Sequence, residues 1–390
     1  MIIDLYQDDK ECFFWTREEL NFIEASNPNS FRLNSPSPAI IDYKGHTLRI
    51  FRGHYHGMLN FGFNKDSDCV LIVLSYGAIP NDTLKQFLTH IKNNPEKKFV
   101  IVAKNVEDYW VCDDNRTSDI LLKEISELNN IKVIWDVDGV DYKNFYFEPK
   151  VNFHNYYNNP TFPGYMFING GEIFHKLQKD KRIGIHLNKI TDKARKWLFE
   201  TYYTKSHSNL FFTSKQHRVD NNVFTNEILT TSGNGVTQHW YYDQFIELTT
   251  KSEIELIYET FTTTAEYRWL LKWNEKTIKL LFLSKPFLHL DPAAHSLFKS
   301  NGLTPYRSLY TDELWSMYEG YDNQRLLLLN RSDRDMFWGD ALARNIEWLL
   351  DMGEEEWRFR VNQATDTAIE NRNRINGYLF NKSLFKYVEL

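Results

Sequence analysis

The stretch WNEKTIKLLFLSKPFLHLD, residues 273 to 291, sets a carboxylate and an ammonium side by side at the opening of a short apolar helix. A phosphate reaching that opening would meet free backbone N–H groups, the positive end of the helix dipole and the ammonium of Lys276. Glu275 cannot serve a phosphate, but its carboxylate can accept hydrogen bonds from two ribose hydroxyls, as acidic residues do in dinucleotide sites. Glu275 and Lys279 are four residues apart and share a helix face. Ribose and phosphate contacts together are what a sugar nucleotide requires. The purely structural account of the pair is a dipole-favoured glutamate with an i,i+4 ion pair worth a few tenths of a kcal/mol.

Two other clusters could carry chemistry. WDVDGVD, residues 135 to 141, follows an apolar run with Asp136 and Asp138, hard oxygen ligands of the kind that hold a divalent cation. The same residues also read as a turn, since Asp138-Gly139 is a common turn dipeptide. GHYHG, residues 53 to 57, places His54 and His56 two apart with no third ligand nearby, so His56 fits a general base better than a metal ligand. No phosphate-loop, nucleophile-elbow, zinc-protease or dinucleotide glycine motif occurs.

These residues need a scaffold, and 390 of them suit two domains better than one core. Charged residues at 25% and hydrophobic ones at 42% fit a soluble globular protein. A net charge of −6 supplies no overall attraction for nucleic acid, although a local basic groove stays open. The longest apolar runs are too short to cross a bilayer, and MIIDLYQDDKE lacks the features of a secretory leader. Cys12, Cys69 and Cys112 are odd in number and lack metal spacing, which points to a reducing, cytoplasmic location without structural zinc.

Apolar runs at 69–74, 98–103 and 131–137 alternate with helical patterns at 83–94 and 118–130, and 47–51 adds a strand before them. Continuous rather than alternating apolar strands argue for a parallel sheet covered on both faces. Residues 150 to 180, rich in Asn, Pro, Gly and aromatics, read as a crossover. A second alternation follows, with strands at 182–188, 209–214, 254–260 and 286–290 and helices at 191–203, 275–284 and 291–302, the last ending on Gly302. Everything beyond 311 reads as helix. The expectation is an α/β protein of two Rossmann-like domains, 1–165 and 166–353, with a helical tail from 354 that packs back on the first.

Ligands in open parallel sheets bind beyond the carboxyl ends of the strands. That rule selects Asn188, Lys189, Glu259, the Glu275-Lys276 turn and the DPAAH segment with His295 from the second half. From the first half it selects 75–80, 105–108 and 136–141.

The order Glu-Lys-Thr-x-Lys, an apolar run, Lys-Pro-Phe-Leu, a helix and Asn-Gly-Leu resembles the C-terminal domain of phage- and virus-encoded glycosyltransferase-like proteins of GT-B fold. It is also similar to the Glu-Lys motif of fucosyltransferases. HLNKITDKARKWL looks like the strand–Asn–basic–helix opening of the same domain, and AIENRNRI like its closing helix. The chain carries His289-Leu290-Asp291 where these families often have a small residue, and Ala194-Arg195 where they often have His-Arg.

The resemblance covers roughly the second half. It implies two domains facing a cleft and gives Glu275 the ribose, Lys276 a phosphate, and Asn188, Lys189 and Arg195 positions near the phosphates. It further implies a nucleoside-diphosphate sugar as co-substrate, no metal or other cofactor, and a phage or viral source in a host cytoplasm. The acceptor would be a hydroxyl on a modified base of phage DNA, or on a glycan or protein, with no membrane partner. Two rivals remain: a non-catalytic sugar- or nucleotide-binding module of a virion, and a metal-dependent transferase using Asp136 and Asp138.

Overall fold

The computed structural model describes residues 1–7, 14–28, 38–52, 64–74, 81–103, 123–136, 138, 142–157, 179–187, 193–203, 207–214, 249–257, 273, 275–290, 292–320 and 339–389. It is a mixed α/β protein with a seven-stranded, mostly parallel sheet, a four-stranded parallel sheet and a helical C-terminal part. The chain divides into two units, Met1–Asn155 with Ile375–Leu390, and Tyr156–Arg374.

The first sheet runs in the order β2-β3-β1-β4-β5-β6-β7. Its strands are β1 (Ile2–Gln7), β2 (Ala39–Tyr43), β3 (His46–Arg52), β4 (Cys69–Leu74), β5 (Lys98–Ala103), β6 (Ile131–Trp135) and β7 (Phe145–Phe147). Only β2 is antiparallel. It turns into β3 through Lys44 and Gly45, both at positive φ, which is the two-residue turn whose twist matches a hairpin. The continuous apolar strands are buried on both faces, as their pattern requires. Ile3, Leu5, Leu71, Val73, Val100 and Val102 join one core with Trp15 and Phe385, while Val70, Ile72, Phe99 and Ile101 are buried on alternate positions.

Helix α1 (Arg17–Ser26) begins on a capping box: the Thr16 hydroxyl accepts the Glu19 N–H at 3.0 Å, and the Thr16 N–H donates to Glu19 Oε2 at 2.9 Å. Helix α2 (Asn81–Lys92) buries Phe87, Leu88 and Ile91. The expected crossover from 150 opens instead with a helix, α3 (Pro149–Tyr157). Proline suits a first helical position, and Val151 and Phe153 are buried there beside Asn152 and His154. The polar residues inside α3 hide its periodicity.

The second sheet has the order β11-β10-β8-β9, all parallel. Its strands are β8 (Lys181–Leu187), β9 (Leu210–Ser214), β10 (Ser252–Ile257) and β11 (Phe287–His289). Helix α4 (Lys193–Leu198) continues as a π-helical stretch, Phe199–Tyr203. Helices α5 (Glu275–Phe282), α6 (Pro292–Ser300), α7 (Asp312–Glu319), α8 (Gly339–Asp351), α9 (Glu354–Asn381) and α10 (Lys386–Glu389) follow.

The tail expected as one piece from 354 divides at Ile375. Upstream, Trp357 Nε1 donates to Glu253 Oε2 at 2.6 Å and Asn371 Nδ2 to the Thr304 carbonyl at 2.7 Å, which ties α9 to the second unit. Downstream, Tyr378 stacks on Phe153, Phe385 stacks on Trp15, and the Leu384 N–H donates to the Phe14 carbonyl at 2.9 Å, all within the first unit.

Candidate functional site

The two sheets share one topological device. In the first, β1 is flanked by β3 on one side and β4, β5 and β6 on the other; in the second, β8 is flanked by β9 on one side and β10 and β11 on the other. Each chain path therefore reverses direction beside its first parallel strand, which opens a crevice at the carboxyl ends of the strands. In the second sheet the reversal lies between β8 and β10. A helix that follows a parallel strand starts at that strand's carboxyl edge, so α4, α5 and α6 all open on the same edge. The segments after β8, β10 and β11 carry the residues selected from the sequence.

Helix α5 is held there by its flanks. Trp273, two residues ahead of it, is fully buried and donates from Nε1 to the Ala294 carbonyl at 2.8 Å. Its ring stacks on His289 at 6.0 Å and meets Phe298 edge-on at 5.1 Å. This pins the approach to Glu275 against β11 and α6. Every residue from Thr277 to Leu290 is buried, so α5 is enclosed on all sides rather than amphipathic. Its far end closes with a Schellman motif: the Lys285 N–H donates to the Leu280 carbonyl at 2.9 Å and the Ser284 N–H to Leu281 at 3.2 Å, with Ser284 at φ 55. Helix α6 closes in the same way on Gly302 at φ 64, the position expected for it.

Beside that edge lies a nest of aromatic and imidazole rings. His289 is fully buried, and neither of its ring nitrogens has a hydrogen-bond partner among the described residues. Burial, reinforced by His295, holds its pKa well below the usual imidazole range. His295 Nδ1 lies 3.2 Å from the Tyr310 hydroxyl, and burial pushes its pKa down to about 4. Tyr318 donates to the His289 carbonyl at 2.8 Å and so holds α7 on the strand end. Both imidazoles are neutral at pH 7.

The sequence-derived residues distribute as follows. Glu275 and Lys276 form the first turn of α5, and Arg195 lies in α4; their side chains fall outside the described residues. Asn188, Lys189, Glu259 and His56, with 75–80 and 105–108, also fall outside them. Lys279 lies in the last turn of α5 and is buried, which sets it in the packed body of the unit rather than on an open surface. Asp136 is fully buried just past β6, and Asp138 is half-buried. Among the described residues no group of three His, Cys, Asp or Glu could hold a metal ion, and no helix is long and apolar enough to cross a membrane.

Sequence reasoning passed over Trp273, His289 and a buried ion pair behind the edge. Lys285, wholly buried, donates to the Thr249 carbonyl at 2.6 Å and lies 3.4 Å from Glu255 Oε1. Gly184, opposite Glu255 in the sheet, leaves room for it: a Cβ there would stand 2.6 Å from Glu255 Oε2. A glycine inside the strand pattern RIGIHL is the sequence signal for such a close approach.

No protein-family model and no curated protein matches this chain in sequence. The fold and the edge define an α/β protein with one mostly parallel and one parallel sheet of like winding.

Proposed function

We propose that the protein is a glycosyltransferase of GT-B type that takes a sugar from a nucleoside-diphosphate sugar and attaches it to an acceptor hydroxyl. The observation that carries this reading is the start of α5: a Glu-Lys first turn opens at the carboxyl edge of a switch-point sheet, behind a buried tryptophan that fixes its approach. Fold likeness alone does not define an activity; the residue types at that edge supply the rest. Glu275 accepts the ribose hydroxyls, and Lys276, with Lys189 and Arg195, faces the diphosphate.

The acceptor oxygen bonds to the anomeric carbon as the bond from that carbon to the diphosphate oxygen breaks. Cations facing the diphosphate stabilise the charge that grows there. The acceptor proton passes to a general base; of the carboxylates selected from the sequence, half-buried Asp138 is more accessible than fully buried Asp136, with His56 as the imidazole alternative. The acceptor classes are a hydroxylated base in phage DNA, extruded from the duplex, and a glycan or protein hydroxyl.

Steady-state kinetics of two variants, with a UDP-, GDP-, CMP- or dTDP-sugar chosen by thermal shift, test the assignment. Glu275→Ala removes a charge-assisted bond to the remote ribose, so it raises KM by the equivalent of about 1.5–3 kcal/mol. Lys276→Ala acts where charge develops, so kcat falls more than KM rises. Full activity in both variants overturns the reading. Binding of the nucleotide sugar without turnover makes the chain a binding module. Binding that requires magnesium or manganese shifts the diphosphate contact to Asp136 and Asp138.

A further inference from the structure

A groove of about 910 Å³ opens within the second unit, between the segment 304–312 and helices α8 and α9. That volume lies near the top of the range of about 300–1,000 Å³ typical of small-molecule clefts. Its two cations are already answered. Arg307 pairs with Asp312, donates to the Tyr310 carbonyl at 2.8 Å and lies over the Trp315 ring. Arg360 donates to Glu356 at 2.9 Å and to the Ser308 carbonyl at 3.2 Å. An anion entering the groove would meet neutralised guanidiniums and the carboxylate of Asp366, so phosphate and nucleic acid are poor occupants. A purely apolar ligand would strand the hydroxyl, amide and carboxylate groups of the wall.

What remains suits a neutral polyol. Gln363, Asp366 and Thr367 stand at i, i+3 and i+4 on one face of α9, offering an amide and a carboxylate within a single turn, while the Thr367 hydroxyl donates to the Gln363 carbonyl at 3.0 Å and can only accept from a ligand. The Gln363 and Asp366 side chains are exposed and form no hydrogen bond to the described residues. A carboxylate accepting a sugar hydroxyl makes a short charge-assisted bond, and an amide can donate to one hydroxyl while accepting from its neighbour. Trp348 is half-buried, with the Arg360 guanidinium 4.6 Å over its ring, so indole and guanidinium form one fixed planar wall of the groove against which the C–H face of a pyranose can lie. From Arg360 to Thr367 the helix rises ~10 Å, room for about two pyranose rings.

We propose that this groove binds a neutral oligosaccharide, with Trp348 as its platform and Gln363 and Asp366 as its polar contacts. This goes beyond the nucleotide-sugar reading and does not depend on it. Saturation-transfer NMR and calorimetry with maltotetraose, cellotetraose and chitotetraose, beside a sulfated oligosaccharide and inorganic phosphate, provide the test. At least one neutral tetrasaccharide binds at millimolar concentration or below. Asp366→Ala and Gln363→Ala, at exposed helix positions that leave the melting curve in place, each weaken it by about tenfold. Trp348→Ala abolishes it, and the two exposed variants decide the matter should that variant fail to fold. Nucleotide-sugar binding persists in both exposed variants, which separates this groove from the α5 edge. Failure of all three neutral sugars to bind, unchanged affinity in both exposed variants, or tighter binding of the charged probes overturns the proposal.

Discussion

Each sheet buries a carboxylate on one of its inner strands, but the two are neutralised in opposite ways. On β1, Asp4 meets Arg49 Nε at 2.5 Å and also accepts from Asn64 Nδ2 at 2.9 Å. Arg49 then reaches outward to Asp66, whose side chain is 63% exposed. On β10, Glu255 meets Lys285, and their side chains are 3% and 0% exposed. The bond to Asp66, ahead of the contribution of Asp4, raises the pKa of Arg49, whereas burial lowers that of Lys285 to about 8. A chain of charges that ends in water keeps its cation charged at little cost. A sealed pair carries the full desolvation penalty, and mutual attraction offsets it only in part. The second sheet is therefore the more sensitive to charge and pH.

The largest test breaks one partner of each pair. Lys285→Ala leaves Glu255 buried without its cation and costs about 3–5 kcal/mol in chemical denaturation. Replacing both members with apolar or amide groups of similar size, Lys285→Met with Glu255→Gln, restores most of that loss. Arg49→Ala costs less, about 2 kcal/mol: each carboxylate keeps one neutral donor, Asn64 for Asp4 and Ser252 for Glu255, but water gains access only at Asp4, whose partner is itself partly exposed. An equal or larger cost for Arg49→Ala would erase the contrast.

Acid provides the next test. His295 titrates near 4 in the fold and near 6.5 when unfolded, so below 6.5 the unfolded chain binds the extra proton. Stability is full above pH 6.5 and falls as pH drops towards 4, by on the order of 3 kcal/mol from this residue. His289 adds in the same direction. Melting at stepped pH shows the effect, and His295→Gln removes the share of that residue while leaving that of His289. Hydrogen exchange at α6 and α7 locates the loss in the second unit.

Alkali is expected to act more weakly and with the opposite consequence. Between about 8 and 10 the unfolded Lys285 is charged while the folded one is neutral, so the unfolded state holds more protons and stability rises with pH. The gain is on the order of 2 kcal/mol. Above about 10 the tyrosines whose pKa burial raises, Tyr306 and Tyr310 among them, ionise first in the unfolded chain and reverse it. Lys285→Met removes the rise between 8 and 10 and leaves the reversal.

The smallest effect compares two helix ends. Ser284 and Gly302 occupy the same left-handed position, but only glycine adopts it without a Cβ penalty. The Ser284 hydroxyl is also buried without a partner among the described residues. Ser284→Gly raises stability by about 1 kcal/mol in denaturant titration. No gain would mean that the hydroxyl or the loss of chain entropy on folding outweighs the relief.

Much of this fold could be read locally. The continuous apolar runs from Cys69, Lys98, Ile131 and Phe287 became parallel strands because burial on both faces leaves no polar alternation, whereas KRIGIHL from Lys181 alternates and is parallel all the same. Strand β1 escaped notice because IIDLYQ is interrupted by Asp4, whose burial makes sense only beside Arg49. Helix α1 carried a readable signal in Thr16-x-x-Glu19, whereas α3 had none. At the candidate edge, residue type and helix start were visible at Glu275-Lys276, and Gly184 hinted at close packing. Trp273 and His289 carry no local signal of the stack that joins them, since it forms between residues sixteen apart in the chain.

Sequence alone determined the two strand–helix alternations, the Gly302 stop and the opening of α5 with a carboxylate and an ammonium. Each depends on neighbours within a turn or a few residues, where periodicity and capping act. Tertiary structure alone decided that β1 lies between β3 and β4 and β8 between β9 and β10, that the unit boundary falls inside α9, and that Lys279 and Lys285 are enclosed. Those outcomes rest on hydrogen bonds and desolvation between residues far apart in the chain. A lysine beside leucines has the same local pattern whether water or a folded sheet surrounds it, and only the completed packing removes the water.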